Sequence, residues 1–300
     1  MQTNRTAPLV SVYIPTKNRL ELLKRAIDSV LNQSHARIEI IVVDDGSTDG
    51  TRNYLQHLNA RSLVKPIHMP VSVGACNARN FAINAATGNF LTGLDDDDYF
   101  EADRIRNFVA KWEDLRDRNV HAAGLYDGIK IVRRGNQALA SQSTLTTADQ
   151  LKVANTVGNQ VFAPREHFVD AGLFDNSLPC WQDWDLWLRM ARKYGDFFSC
   201  GNSSYVQDLQ STSDRISTQP GFAIRYGSIR FKRKHGPYSL SQTADFLASL
   251  CDYPQVKLHP SEMLLLAGSF RIAKLSRKIA QNVLPRSAYA SLRQLVSSRS

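Results

Sequence analysis

Four aspartates stand in a row, Asp95, Asp96, Asp97 and Asp98, where the apolar run of residues 90–94 gives out. Carboxylates packed this closely repel one another, and a hard divalent ion with oxygen ligands is the usual way to hold them together. A solvated acidic turn is the plain alternative for such a run. A second acidic corner weakens that alternative: Asp44-Asp45-Gly46-Ser47 closes the apolar run of residues 38–43. Two candidate strands thus end in carboxylates, and in an open parallel sheet the carboxyl ends of the strands form the ligand crevice. A calcium loop counted from Asp95 fails, because Phe100 stands where the sharp-turn glycine belongs and Arg106 where the bidentate glutamate belongs.

The elements that would carry these corners are legible from periodicity. Residues 10–14 read as a strand, and Leu20, Leu23, Ala26, Ile27, Val30 and Leu31 recur at helical spacing. Residues 38–43 give a second strand and 63–69 a weaker third. A helix over 75–86 stops at Thr87-Gly88, before the strand of 90–94. Further on, the spacing predicts a helix over 102–116, one strand over 122–132, and a polar, mobile connection over 133–150. After a turn at Gly172-Leu173-Phe174-Asp175, the residues Trp184, Trp187 and Leu188 fall at i, i+3 and i+4. They should face the core, with Asp183 near the N-terminus of their helix. Alternating strands and helices predict an α/β fold with a mostly parallel sheet flanked by helices. Neither a G-x-G-x-x-G nor a G-K-[ST] loop occurs, so the dinucleotide and P-loop readings lack their motif.

Composition bounds the rest. Three hundred residues at 43% hydrophobic content suffice for one large domain with a helical extension. Cys76, Cys180, Cys200 and Cys251 are far apart, which suggests neither zinc nor a disulfide framework and fits reducing cytoplasm. No stretch reaches the roughly 18 apolar residues of a spanning helix, and residues 1–8 lack a signal-peptide pattern, so a cytoplasmic or peripheral protein is expected. The seven histidines show no metal-ligand spacing. The net charge of +9 is uneven. Residues 221–300 hold 13 Lys or Arg against 3 Asp or Glu, and residues 1–220 hold 24 against 25. Leu264, Leu265, Leu266, Ile272, Leu275 and Ile279 alternate with Arg271, Lys274, Arg277 and Lys278, a pattern suited to the anionic cytosolic face of an inner membrane. A helical lid with solvated charges is the competing reading. No zinc-finger or RNP-like signature accompanies the basic tail, so nucleic acid is not an expected partner.

Five segments together resemble the family 2 glycosyltransferases of the GT-A fold, an inverting, nucleotide-sugar-dependent group. Residues 10–19 (V-S-V-Y-I-P-T-K-N-R) are similar to the family's opening strand, and residues 42–50 (V-V-D-D-G-S-T-D-G) to its nucleotide corner. Residues 74–80 (G-A-C-N-A-R-N) resemble the segment before its metal motif. Residues 94–98 resemble that motif, L-D-x-D-D, and residues 182–189 (Q-D-W-D-L-W-L-R) its E-D-W-D-L-W-x-R stretch. The likeness covers about the first 195 residues and implies a catalytic domain over 1–220 followed by a helical basic region over 221–300. It implies that Thr16, Asp44 and Asp45 hold the donor's nucleoside, with Asp45 on the base, and that Arg79 lies near the pyrophosphate. It implies Mn²⁺ or Mg²⁺ on Asp97, with Asp95 in the same D-x-D pattern and Asp95 or Asp96 meeting the ribose; four consecutive aspartates leave the register open by one residue.

Inversion needs one displacement and one base, and the resemblance gives that role to Asp183. Gln182 replaces the family's usual glutamate beside it, a departure that puts any supporting role of that neighbour in doubt. A helix N-terminal aspartate held by the macrodipole is the structural alternative for Asp183, and an ion pair is the alternative for Arg79. Asp185, four residues before Arg189, reads as a helix ion pair. The implied function is transfer of a sugar, UDP-linked, to a glycan acceptor that is lipid-linked, in cell-surface polysaccharide synthesis. A nucleotidyltransferase of related fold, or a binding module without catalysis, are the other readings.

Overall fold

The structure is a computed structural model that describes residues 6–133, 136–139, 143–209, 220–269, Arg271 and Ser276. The chain forms two compact units, the larger holding residues up to Leu151, Asn155–Ser177 and the stretch from Gln182. Its first half is β1 (Val10–Thr16), α1 (Leu20–Leu31), β2 (Ile38–Asp44), α2 (Thr51–Ala60), β3 (Lys65–His68), α3 (Ala75–Ala85) and β4 (Phe90–Gly93). Parallel pairing of β3 with β2, β2 with β1 and β1 with β4 places all four carboxyl ends on one edge. Strands covered on both faces read as unbroken apolar runs, and β1 is buried at every position. The stripe Leu23, Ala26, Ile27 and Val30 buries one side of α1 at i, i+3, i+4 and i+7. These residues join Val10, Val12, Ile14, Ile40 and Val42 in the main core.

The chain then leaves the large sheet. Asp96 and Asp97 make a turn, and Asp98 opens β5 (Asp98–Phe100) of a second sheet. Next come α4 (Arg104–Asp117), β6 (Ala122–Tyr126), β7 (Ile129–Arg133), β8 (Asn136–Leu139), β9 (Leu145–Thr146), α5 (Ala148–Val153), β10 (Phe162–Pro164), α6 (Arg165–Asp170), α7 (Gln182–Tyr194), β11 (Asp196–Ser199) and β12 (Tyr205–Asp208). The large sheet has the order β3-β2-β1-β4-β10-β6-β11-β9 and the small one β5-β12-β7-β8. In the large sheet β10 is antiparallel to β4 and to β6, and β9 is antiparallel to β11, so a mostly parallel sheet carries two reversed strands.

Two expectations fail here. The single strand over 122–132 is two strands in different sheets, broken at Asp127-Gly128. Asp127 is buried against Ser204 and Arg104, and a Cβ on Gly128 would stand 2.6 Å from the carbonyl oxygen of Asn202, so the corner is fixed by close packing. Much of the polar stretch 133–150, expected as a mobile connection, is ordered into β8, β9 and the start of α5. None of the four cysteines forms a disulfide.

The second unit holds Lys152–Ala154, Leu178–Trp181 and the later described residues, with α8 (Gly221–His235), α9 (Leu240–Leu250) and α10 (Pro260–Gly268). Trp181 is its centrepiece: the ring meets Phe231 and Phe246 edge-on at 6.0 and 5.8 Å, and its Nε1 donates to the Tyr253 hydroxyl at 2.8 Å. Of the C-terminal apolar pattern, Leu264 and Leu266 lie on α10 facing out and in respectively. Ile272, Lys274, Leu275, Arg277, Lys278 and Ile279 lie outside the described residues. No helix among the described residues is long and apolar enough to cross a membrane.

Candidate active site

Sheet register aligns the candidate residues before any side chain is considered. Thr16 is the partner of Asp44, Asp44 is the partner of His68, and Tyr13 is the partner of Gly93. Three residues beyond that last pair, Asp96 comes level with Thr16, whose hydroxyl donates to the Asp96 carboxylate at 2.7 Å. A row His68, Asp44, Thr16, Asp96 therefore crosses the carboxyl ends of four parallel strands. Asp44 accepts from the Ser47 amide at 2.9 Å and lies 3.1 Å from His68 Nδ1.

Asp45 has a different set of partners. It accepts from the Ser72 hydroxyl at 2.6 Å and from the amides of Val73 and Gly74 at 2.6 and 3.0 Å. Three of its roughly four acceptor positions thus hold the loop that leads into α3. Gly46, at φ 75°, makes the approach possible, since a Cβ there would stand 3.2 Å from the Ser72 nitrogen.

The acidic run is met by arginines of the chain itself. Arg79, on α3, donates to Asp95 at 2.9 Å, and its guanidinium lies over the Phe174 ring at 5.6 Å. Arg19 lies 3.0 Å from Asp96 and 3.6 Å from Asp97, and Arg25 donates to the Asp97 carbonyl at 2.7 Å while pairing with Asp208. Asp98 turns into the small sheet and accepts from the Asp208 amide at 3.3 Å. The ion-pair reading of Arg79 is thus observed, and the Asp95 charge holds its protonated form more firmly than usual despite burial.

Asp95 is also held from far along the chain. Asn159 donates to it at 2.9 Å and Gln160 at 3.2 Å, and the Tyr13 hydroxyl donates to the Gln160 oxygen at 3.1 Å. A Cβ on Gly93 would fall 1.9 Å from that Gln160 oxygen, so the strand end must be glycine for this bracket to close. Sequence reasoning gave no role to Asn159, Gln160, Tyr13, Arg19 or Arg25, although Tyr13 and Arg19 sat inside the opening segment 10–19 already singled out. Antiparallel β10 brings in the pair 159–160, and no local signal marks it.

Asp183 lies in the first turn of α7, whose Trp184, Trp187 and Leu188 are buried as their spacing predicts; Trp187 Nε1 donates to the Gly158 carbonyl at 3.0 Å. Asp185 pairs with Arg189 at 2.7 Å, also as predicted. Asp183 is half-buried, and its carboxylate accepts from the Asn155 side-chain amide at 3.5 Å. Loss of solvation pushes its pKa up to about 6; the Asp95 charge adds to this, while the Trp184 amide and Arg79 oppose it. Asp96 is pushed up to about 6 as well, chiefly by burial and further by Asp97, against the pull of Thr16 and Arg19. Thr16, Asp44, Asp96 and Asp97 thus meet along one edge, and Asp183 and Arg79 lie within electrostatic reach of Asp95.

The donor set suits a hard cation: Asp95 and Asp97 offer carboxylate oxygens, and Mg²⁺ is commonly bound by one or two carboxylates together with substrate phosphates. Among the described residues no three His, Cys, Asp or Glu side chains converge as a ready-made cage. The edge as a whole combines hydrogen-bonded carboxylates, arginines beside an acidic corner, and two carboxyls, Asp96 and Asp183, whose pKa values are raised to about 6.

Residues 11–171 match the family model described as Glycosyl transferase family 2, and the chain belongs to that family. It is 34% identical over 232 residues to a colanic acid biosynthesis glycosyl transferase, WcaA, of Escherichia coli (strain K12), covering 76% of this chain and 81% of that one. It is 39% identical over 216 residues to a teichuronic acid biosynthesis glycosyltransferase, TuaG, of Bacillus subtilis (strain 168), covering 70% and 82%. S. aureus TarS shares the fold at TM-score 0.61 and 16% identity, over 87% of this chain and 48% of TarS. TarS 1-349 in complex with UDP-GlcNAc aligns at TM-score 0.58 and 16% identity, over 87% of this chain and 71% of that one.

Proposed function

We propose that this glycosyltransferase moves a sugar from a nucleotide-sugar, UDP-linked, to a hydroxyl of a glycan acceptor that is lipid-linked, with inversion, in cell-surface polysaccharide synthesis. The names of WcaA and TuaG, and the UDP-GlcNAc complex of TarS, support the substrate classes. The observation that carries the mechanism is the half-buried Asp183, made more basic by its surroundings and within electrostatic reach of the Asp95–Arg79 pair.

In this reading Thr16, Asp44 and Asp45 bind the nucleoside, Asp95 or Asp96 meets the ribose, and Asp95 and Asp97 hold Mn²⁺ or Mg²⁺. When bound, such an ion stabilises the charge that grows on the departing diphosphate. Asp183 takes the proton of the acceptor hydroxyl as that oxygen bonds to the anomeric carbon. The bond from that carbon to the phosphate oxygen breaks, and its electron pair leaves with the nucleoside diphosphate. Residues 1–220 would carry this chemistry, and the helical basic region over 221–300 would meet the acceptor or an anionic membrane.

The test is nucleotide release from UDP-, GDP- and dTDP-sugars with Mn²⁺ or Mg²⁺, with Asp183→Asn and Asp97→Asn alongside. Release of a nucleoside diphosphate from one donor, lost with EDTA and in Asp97→Asn, is the expected result. Release of inorganic pyrophosphate from a nucleoside triphosphate would replace this reading with a nucleotidyltransferase.

A further inference from the structure

Helix α8 lies at the start of the basic region, and its two sides differ sharply. Ile224, Gly227, Ser228, Phe231 and His235 are buried, with the Phe231 ring stacked on Phe246 at 5.8 Å. A Cβ on Gly227 would stand 2.5 Å from the Cys180 sulfur, so the inward side is packed too tightly for the helix to roll. The outward side carries Phe222, Tyr226 and Ile229 at i, i+4 and i+7, exposed by 78%, 54% and 59%. Arg233 continues the line at i+11, and Lys232 and Arg230 flank it, while Arg225 on the Lys232 side is taken up by an ion pair with Glu262 of α10 at 2.6 Å. From Gly221 to His235 the sequence holds five Lys or Arg and no Asp or Glu. The Arg230 guanidinium lies over the Tyr226 ring at 5.7 Å.

Three large apolar side chains in line are costly to leave in water, and a helix with no negative charge offers nothing to a cationic partner. We propose that the outward face of α8 is a docking surface for an anionic phospholipid bilayer. The aromatic and aliphatic side chains enter the headgroup boundary while the flanking cations stay at the level of the phosphates. Charge complementarity selects an anionic leaflet. Single-stranded nucleic acid would reward the cations and the aromatic rings but not the aliphatic Ile229. This surface is distinct from the C-terminal pattern over 264–279 and rests on exposed side chains, not on periodicity. It rests on the reading that the basic region over 221–300 meets an anionic membrane and names the surface that does so; bilayer binding is measured without donor or acceptor, so its failure is distinguishable from failure of the transferase reading.

The experiment is co-sedimentation of the full chain with vesicles of phosphatidylcholine alone, or of phosphatidylcholine and phosphatidylglycerol in equal parts. Two double variants accompany it, Phe222→Ser with Ile229→Ser and Arg230→Glu with Arg233→Glu, each checked by thermal melting. Binding to the anionic vesicles only, weakened about tenfold or more in both variants at unchanged melting temperature, is the expected result. Equal binding to both vesicle types, or binding that neither variant reduces, overturns the proposal. So does a wild-type dimer that the Ser variant makes monomeric, since a second copy would then cover the face. Retention on single-stranded RNA without sedimentation overturns it as well.

Discussion

A base that deprotonates a sugar hydroxyl must be ionised at working pH yet keep a real affinity for the proton. An aspartate with its pKa pushed to about 6 by lost solvation meets both conditions, where an ordinary exposed aspartate would be too weak a base. Two outcomes follow for Asp183. Replacing it by Asn should lower the transfer rate by about 10²- to 10⁴-fold while the donor still protects the protein against heating, read by activity and thermal shift together. The wild-type kcat/KM should fall as pH drops below about 6, where Asp183 takes up a proton. The stability effect has the opposite sense: the folded pKa lies above the ordinary 3.8, so the folded state binds more protons, and stability is lost as pH rises through the window from 3.8 to about 6. Asn cannot ionise and escapes that loss, so the inactive variant should melt no lower than wild type at pH 7. A melting temperature several degrees lower would make Asp183 a structural cap.

At the scale of elements, the acidic corner of β2 does two jobs with adjacent residues. Asp44 faces along the row of strand ends, whereas Asp45 reaches sideways to the loop before α3 and so ties β2 to the helix that carries Arg79. Asp45→Ala would leave two amides and a hydroxyl without their acceptor, at a cost of roughly 2–4 kcal/mol in urea unfolding. Donor affinity should fall with it. Unchanged stability would mean that the loop holds itself. The parallel strands and their helices were legible because burial on both faces writes unbroken apolar runs, which end where the polar site begins. The small sheet was not: β7 is half-buried along most of its length, which gives no alternation to read, and its break from β6 depends on a contact between Gly128 and a segment over seventy residues away. For the same reason Thr16, Asp44 and Asp96 could be placed from strand ends, while Asn159 and Gln160 reach Asp95 only through the reversed strand β10.

At the scale of the whole molecule, the acidic corner raises the question of whether a metal ion belongs to the fold or only to the reaction. Where a metal alone neutralises clustered carboxylates, its removal unfolds the protein. Here Arg79 answers Asp95 and Arg19 answers Asp96 and Asp97, with Arg25 tying the Asp97 backbone and Asp208. The cations are covalent parts of the chain, so the corner is assembled before any ligand arrives. Chelation should therefore abolish transfer and leave the melting temperature within about a degree, whereas Mn²⁺ and a nucleoside diphosphate together should raise it. At a hundredfold excess over Kd, linkage supplies about 2.7 kcal/mol. In a unit of this size that is roughly 5–11 °C. Replacing Arg19 by Ala should reverse the first result: with Asp96 and Asp97 facing each other unscreened, the apo protein should melt lower, and Mn²⁺ alone should recover part of the loss. An Arg19→Ala protein that melts like wild type in EDTA would show that the carboxylates need no cation from either source.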